Sequence, residues 1–218
     1  LPGVQRALAK QYLSGFSQVI GFKTTFSAIR FSWFDRLVLD GVLIEDMEHN
    51  EMIGVKRLMV NYKFSSLFQG SQVNIDAIYI DSARVFFTKI AGLDSTTRLN
   101  INEFIKQVNA QYGSTGKGGK NRQINIGEAI VSDSRFAYDN TGRDSLAGFD
   151  YNHFSINIGD AQLQNFMALG DTIQFNVNSL TAEDQKTKFG IKQLSTFFRI
   201  SQKSLEFQGV NLKAGQST

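Results

Sequence analysis

Apolar residues along this chain recur with two periods. Over residues 4–20, Val4, Leu8, Tyr12 and Phe16 return every fourth position with Arg6, Lys10 and Gln11 between them. That is the spacing of an amphipathic helix, and Pro2 suits its first turn. Gly21 fits a helix stop, and the period then drops to two. Ser27, Ile29, Phe31 and Trp33 alternate with Phe26, Ala28, Arg30 and Ser32, as a strand with two unlike faces requires. Further strand-like runs follow over residues 37–44, 55–62, 73–80 and 85–87, separated by turn-rich pieces such as "EDMEHNE". No helical pattern recurs between the runs as parallel βαβ units would demand, so the expected topology is an antiparallel meander.

Residues 102–112, "NEFIKQVNAQY", interrupt the strands with Phe104, Ile105 and Val108 at helical spacing, and Asn102 is placed to cap a short helix. Residues 113–122, "GSTGKGGKNR", have no apolar anchor and read as an exposed loop. The chain divides accordingly into a helix over 1–20, a strand-rich segment over 21–112, the loop, and a second strand-rich segment over 123–218 that continues beyond it. The two segments resemble each other. "VNIDAIYIDSARV" at 73–85 aligns without a gap on "INIGEAIVSDSRF" at 124–136, matching Ile75 with Ile126, Ile80 with Val131 and Arg84 with Arg135. In the second segment Phe154, Ile156 and Ile158, then Ile173, Phe175 and Val177, then Leu194, Phe198 and Ile200 line one face of each strand. Ser155, Asn157, Gln174, Asn176, Gln193, Ser195 and Arg199 line the other. One face of a long sheet is apolar and the other is wet.

Composition sharpens this picture. Nineteen Phe stand against one Trp and six Tyr, a bias toward an aromatic with no polar handle and a preference for strands. The absence of cysteine excludes disulfides, thiolate metal sites and thiol nucleophiles. A net charge of +3 arises from 23 basic and 20 acidic residues spread along the chain, without the basic stripe that nucleic acid calls for. Catalytic signals are thin. His49 sits among Glu45, Asp46, Glu48 and Glu51, but the spacing fits no calcium loop and reads as a solvated turn. His153 reads as a lone surface histidine on the polar side of a strand. "GSTGKGGK" lacks the Lys-Ser/Thr pair and the following helix of a phosphate loop. The expectation is a protein that is not an enzyme, with no catalytic group, no metal and no cofactor.

The succession of strand patterns resembles the TamB branch of the AsmA-like envelope proteins, especially the Bacteroidetes type. One carrier is an L-x-L-x-x-V-x-I-x-D strand at Leu37, Leu39, Val42, Ile44 and Asp46. Another is a V-x-I-x-x-I-x-I-x-x-A-x-V strand at Val73, Ile75, Ile78, Ile80, Ala83 and Val85. Residues 180–212 also look family-like. The resemblance implies a mainly β fold, an elongated and strongly curved antiparallel sheet (a β-taco) around an apolar groove. It further implies an inner-membrane anchor preceding residue 1, a periplasmic body, phospholipid as cargo, an outer-membrane barrel-family partner and a part in outer-membrane assembly. The membrane helix and the C-terminal region of whole family members are missing from this chain. Alternation picks Ile29, Phe31, Ile44, Val60, Ile75, Ile80, Phe136, Phe154, Ile156, Phe175, Val177, Phe198 and Ile200 as groove-facing or core positions. The competing expectation is a structural scaffold with a closed, dry β core.

Overall fold

The computed structural model describes residues 22–32, 35–63, 65, 68–69, 72–91, 97–102, 104, 123–148, 150–169, 172–200 and 205–216. The expected helix over 4–20 and the loop over 113–122 lie outside these residues. Twelve strands join in one open, curved sheet: β1 Thr24–Thr25, β2 Ala28–Ser32, β3 Arg36–Glu45, β4 Glu51–Asn61, β5 Phe68–Gln69, β6 Gln72–Ala91, β7 Thr97–Leu99, β8 Gln123–Asn140, β9 His153–Leu169, β10 Thr172–Asp184, β11 Phe189–Ile200 and β12 Leu205–Gln216. The main path runs β1, β3, β4, β6, β8, β9, β10, β11, β12, with β2 beside β3 and with β5 and β7 beside β6. The two strand-rich segments form one continuous sheet.

The antiparallel meander fails at one place, because β6 and β8 pair in parallel. Their register sets Ile75 against Ile126, Ile80 against Val131 and Arg84 against Arg135, so the internal repeat is a map of the pairing. Two copies of one pattern match rank for rank only when both strands run the same way. The long connection between them returns the chain to the starting end, as a parallel pair needs. Helical backbone in that connection covers residues 100–102 and 104, so Asn102, expected to cap a helix, is already inside it.

The runs 73–80 and 85–87 are one strand, since Ser82 takes a left-handed conformation (φ 55°) without ending the ladder. Asp133 (φ 46°) occupies the neighbouring place in β8 and Gly41 (φ 61°) the matching place in β3. Together they mark a bend that crosses the sheet. In an extended strand, residues three apart face opposite ways. A left-handed residue between them shifts the alternation by one, so Leu39 and Val42, Ile80 and Ala83, and Val131 and Ser134 stay on one side. Lys56 and Arg57 in β4 show the same shift from the polar side. Although adjacent, they reach Asp81 (3.8 Å) and Asp40 (2.8 Å), acids of the same outer face. A second bend runs by Gly127 and Asn165 (φ 54°), and a Cβ on Gly127 would press to 2.8 Å from the Asp76 carbonyl oxygen.

Ser134 repairs the ladder at the first bend. Its hydroxyl accepts the Ala83 N–H (3.0 Å) and donates to the Ser132 carbonyl (2.8 Å), and the residue is 5 % exposed. Ser134→Ala leaves the buried Ala83 N–H without that partner, at an expected cost of about 1–3 kcal/mol. Urea denaturation of the variant checks this, and an unchanged midpoint would contradict the repair role.

Candidate functional site

Residues paired in register stand on the same side of a sheet, so the pairing orders the apolar side chains into ranks that cross the strands. One rank joins Leu37, Val60, Ile78, Ala129, Leu163 and Val177, and the next joins Leu39, Leu58, Ile80, Val131, Ala161 and Leu180. Beyond the first bend a further rank carries Ile44, Ile53, Val85, Phe136 and Ile156. Beyond the second, Ile75 and Ile126 meet Phe166 in register, and Phe175, Phe198 and Phe207 form a matching row. The outermost rank sets Val73, Ile124, Ala168, Ile173 and Ile200 side by side.

Twelve of the thirteen sequence-derived positions fall on these ranks, Phe31 and Ile29 through their pairing with Leu37 and Leu39, while Phe154 pairs with Tyr138 one step beyond the Phe136 and Ile156 rank. They are not equivalent. Ile44 packs against a buried cluster of Phe22, Met52 and Ile101, whereas Phe31 is 45 % exposed. Val177 is buried, and Phe136, Phe154, Ile156, Phe175 and Phe198 are half-buried.

Two aromatic groups stand on the face. Phe136 touches Phe87 (5.2 Å, edge to face) and Phe154 (5.9 Å), and Tyr138 lies 5.6 Å from Phe154. Phe175 stacks on Phe198 (4.8 Å) and lies 6.0 Å from Phe166, while Phe207 meets Phe198 edge-on (5.2 Å). Such ring contacts run along a row of strands only where adjacent positions carry the same residue type. Among the described residues outside the Phe22 cluster, the buried apolar side chains are small or β-branched: Ala77, Ala83, Ala129, Ala161, Val177 and Ala182.

The polar side is neutralised locally. Asp40 accepts from Arg57 (2.8 Å) and pairs with Arg30 (2.6 Å), and the Arg57 hydrogen bond holds its carboxyl below the usual range. Arg84 pairs with Glu51 at 2.8 Å across Gly54, whose missing side chain leaves them room. Of the acids around His49, Glu45 binds Lys23 (2.7 Å) and lies 3.6 Å from the His49 Nδ1, Glu51 binds Arg84, and Asp46 accepts the N–H groups of Glu48 and Asn50, both at 2.9 Å. Among the described residues, no group of three or more His, Asp or Glu is placed to hold a metal.

Sequence reading passed over the turn between β8 and β9. Asp150, 1 % exposed, accepts N–H groups from Leu146 (2.7 Å), Asn152 (2.9 Å) and His153 (3.2 Å) and the Ser145 hydroxyl (3.0 Å). Burial alone would raise its pKa, but these donors outweigh it and hold the carboxyl at about 2. His153 is not a lone surface residue. Its Nδ1 meets the Asp139 carboxylate at 2.5 Å and its Nε2 meets the Arg143 carbonyl at 2.8 Å. The Asp139 hydrogen bond raises the imidazole pKa above 6.5. A motif scan does not find the pair because the partners lie on adjacent strands.

A raised histidine pKa stabilises the fold fully below the unfolded value and loses that contribution as pH climbs through the folded value. The urea midpoint is therefore expected to fall between about pH 6 and about pH 9 by more in the parent protein than in Asp139→Asn. Equal falls would contradict the pairing.

The chain matches no known family model, no curated protein and no solved structure, so the reading of the apolar face rests on its own geometry.

Proposed function

We propose that the curved sheet is a lipid-sheltering trough of the bacterial periplasm, holding phospholipid acyl chains against its apolar side and carrying them between inner and outer membrane. In this reading it is a non-enzymatic member of the TamB branch, anchored to the inner membrane and supporting outer-membrane assembly with a barrel-family partner.

The observation that carries the reading is the set of apolar ranks, in register across successive strands and half-exposed over most of their area. Side chains on the inside of a bend converge, so small ones fit there. The buried Ala83, Ala161 and Ala182 beside the first bend support placing the apolar side within the curve. Strands lie about 4.8 Å apart, so the nine strands of the main path span on the order of 40 Å. One bilayer leaflet offers half of a roughly 30 Å hydrocarbon core. Shelter is worth about 0.8 kcal/mol per CH₂ removed from water. Non-directional contact of this kind holds a chain without fixing its position, which suits a conduit.

A scaffold that recruits a partner strand is the second reading. Its support is the outer edge of β12, where Phe207, Val210 and Leu212 are each more than half exposed.

A photo-reactive amino acid placed in cells at Phe154 or Ile156 is expected to capture phospholipid, and the same probe at Ser155 on the opposite face is not. Absence of lipid at both apolar positions in a folded protein would reject the conduit in favour of the scaffold.

A further inference from the structure

The apolar ranks are not equally accessible along the sheet. At the β12 end they lie open, with Phe207 at 53 % and Leu212 at 52 % exposure. At the β3 end, Phe22 (1 %), Met52 (0 %) and Ile101 (8 %) form a dry cluster with Ile44, Ile53, Phe87, Leu99 and Phe104 packed against it. The three buried residues come from three distant stretches of chain.

Each arrives for an identifiable reason. Met52 joins Ile53 on the apolar side because the β3 and β4 register slips between Ile44 and Glu45, which places one extra β4 residue on that side. Phe22 precedes β1 and meets Phe104 edge to face at 5.3 Å. Ile101 and Phe104 belong to the connection between the parallel strands, and β7 turns that connection back along the end of β6.

Asn100 fixes the turn-back. Its side-chain oxygen accepts the Thr88 N–H (3.2 Å), and its amide donates to the Phe86 carbonyl (3.0 Å) and to Asp46 (3.5 Å). Pairing of β4 with β6 stops at Ile53 and Val85, so Asn100 satisfies the next β6 backbone groups that β4 no longer reaches. One polar side chain anchors the apolar cover where the sheet ladder ends.

We propose that the trough is blind at the Ile44 and Ile53 corner of β3 and β4: the Phe22, Met52, Ile101 and Phe104 cluster is a plug, anchored by Asn100, that keeps lipid off this corner, while Phe31 beside the other end of β3 stays open. The proposal rests on the lipid reading and adds a limit to it. Ile44, Ile53 and Phe87 belong to the plug's seat and carry no acyl chain, and lipid enters and leaves away from that corner.

Because the chain has no cysteine, Ile53→Cys and Phe175→Cys each introduce a single thiol. In the whole protein on phosphatidylethanolamine vesicles, N-ethylmaleimide is expected to modify the first at least about tenfold more slowly than the second. A phosphatidylethanolamine with a diazirine in its acyl chain is expected to mark β8 to β12 and to leave Ile44, Met52 and Ile53 clean. Asn100→Ala, or Phe104→Ser should the first variant fail to fold, is expected to speed labelling at Ile53→Cys and to bring lipid adducts onto β4. Equal thiol rates in the parent background, or an Ile53→Cys rate unmoved by both variants, would overturn the plug. Lipid adducts on no strand while Ile53→Cys stays slow would overturn the lipid reading alone, the protected thiol showing that the cluster is closed.

Discussion

A flat strand cannot keep two apolar residues on one side when they lie three apart, because successive side chains alternate. In this protein the long strands contain that three-residue step: Leu39 to Val42, Leu58 to Val55, Ile80 to Ala83, Ile158 to Ala161. The backbone must therefore turn between them, or half of each strand's apolar surface would face the polar side. Gly41, Ser82 and Asp133 supply left-handed residues at that place, and the register aligns the turns across neighbouring strands. The bend, the single apolar side and the buried small residues beside it all follow from this step. Residues other than Gly in the left-handed region are strained by about 1–3 kcal/mol, and the Ser134 hydroxyl offsets part of the disturbance by restoring a ladder partner.

Much of this was legible in the sequence, for physical reasons that differ by element. The step shows directly as L-x-L-x-x-V-x-I at residues 37–44, and the register sets twelve of the positions picked by alternation side by side across strands. Residues 73–85 and 124–136 align because they are neighbours in parallel register, although the repeat alone did not reveal the direction of pairing. Topology was harder because it depends on where the connection after β6 returns, and periodicity is silent about that. The plug was not legible at all. Met52 looks like a polar-side residue until the register slip is known, and Asn100 looks like one more polar residue until it stands beside the unpaired end of β6. The Asp139 and His153 pair escaped for a similar reason, since cross-strand contacts join residues with no sequence spacing in common.

The two faces divide the work. Outward, charges neutralise one another in short cross-strand pairs such as Asp40 with Arg30 and Arg57, and exposed pairs of this kind add little stability. Their distribution keeps the outer face free of a single-signed field. On the other face, aromatic rows and aliphatic ranks remain half-exposed, and exposed apolar surface on a folded protein is a common mark of an interaction site. Rigid turns hold the strands in position around it. Buried Asp46, Asp150 and Asp184 each accept turn N–H groups at the same end of the sheet.

The central proposal is that the open apolar face holds lipid, and the measurement that meets it most directly is native mass spectrometry of the protein purified from the cells that make it. The account predicts phospholipid masses on the parent protein that vanish from a Phe198→Asp variant, with strand content by circular dichroism unchanged. A parent protein free of lipid, or lipid kept equally by the variant, would contradict it.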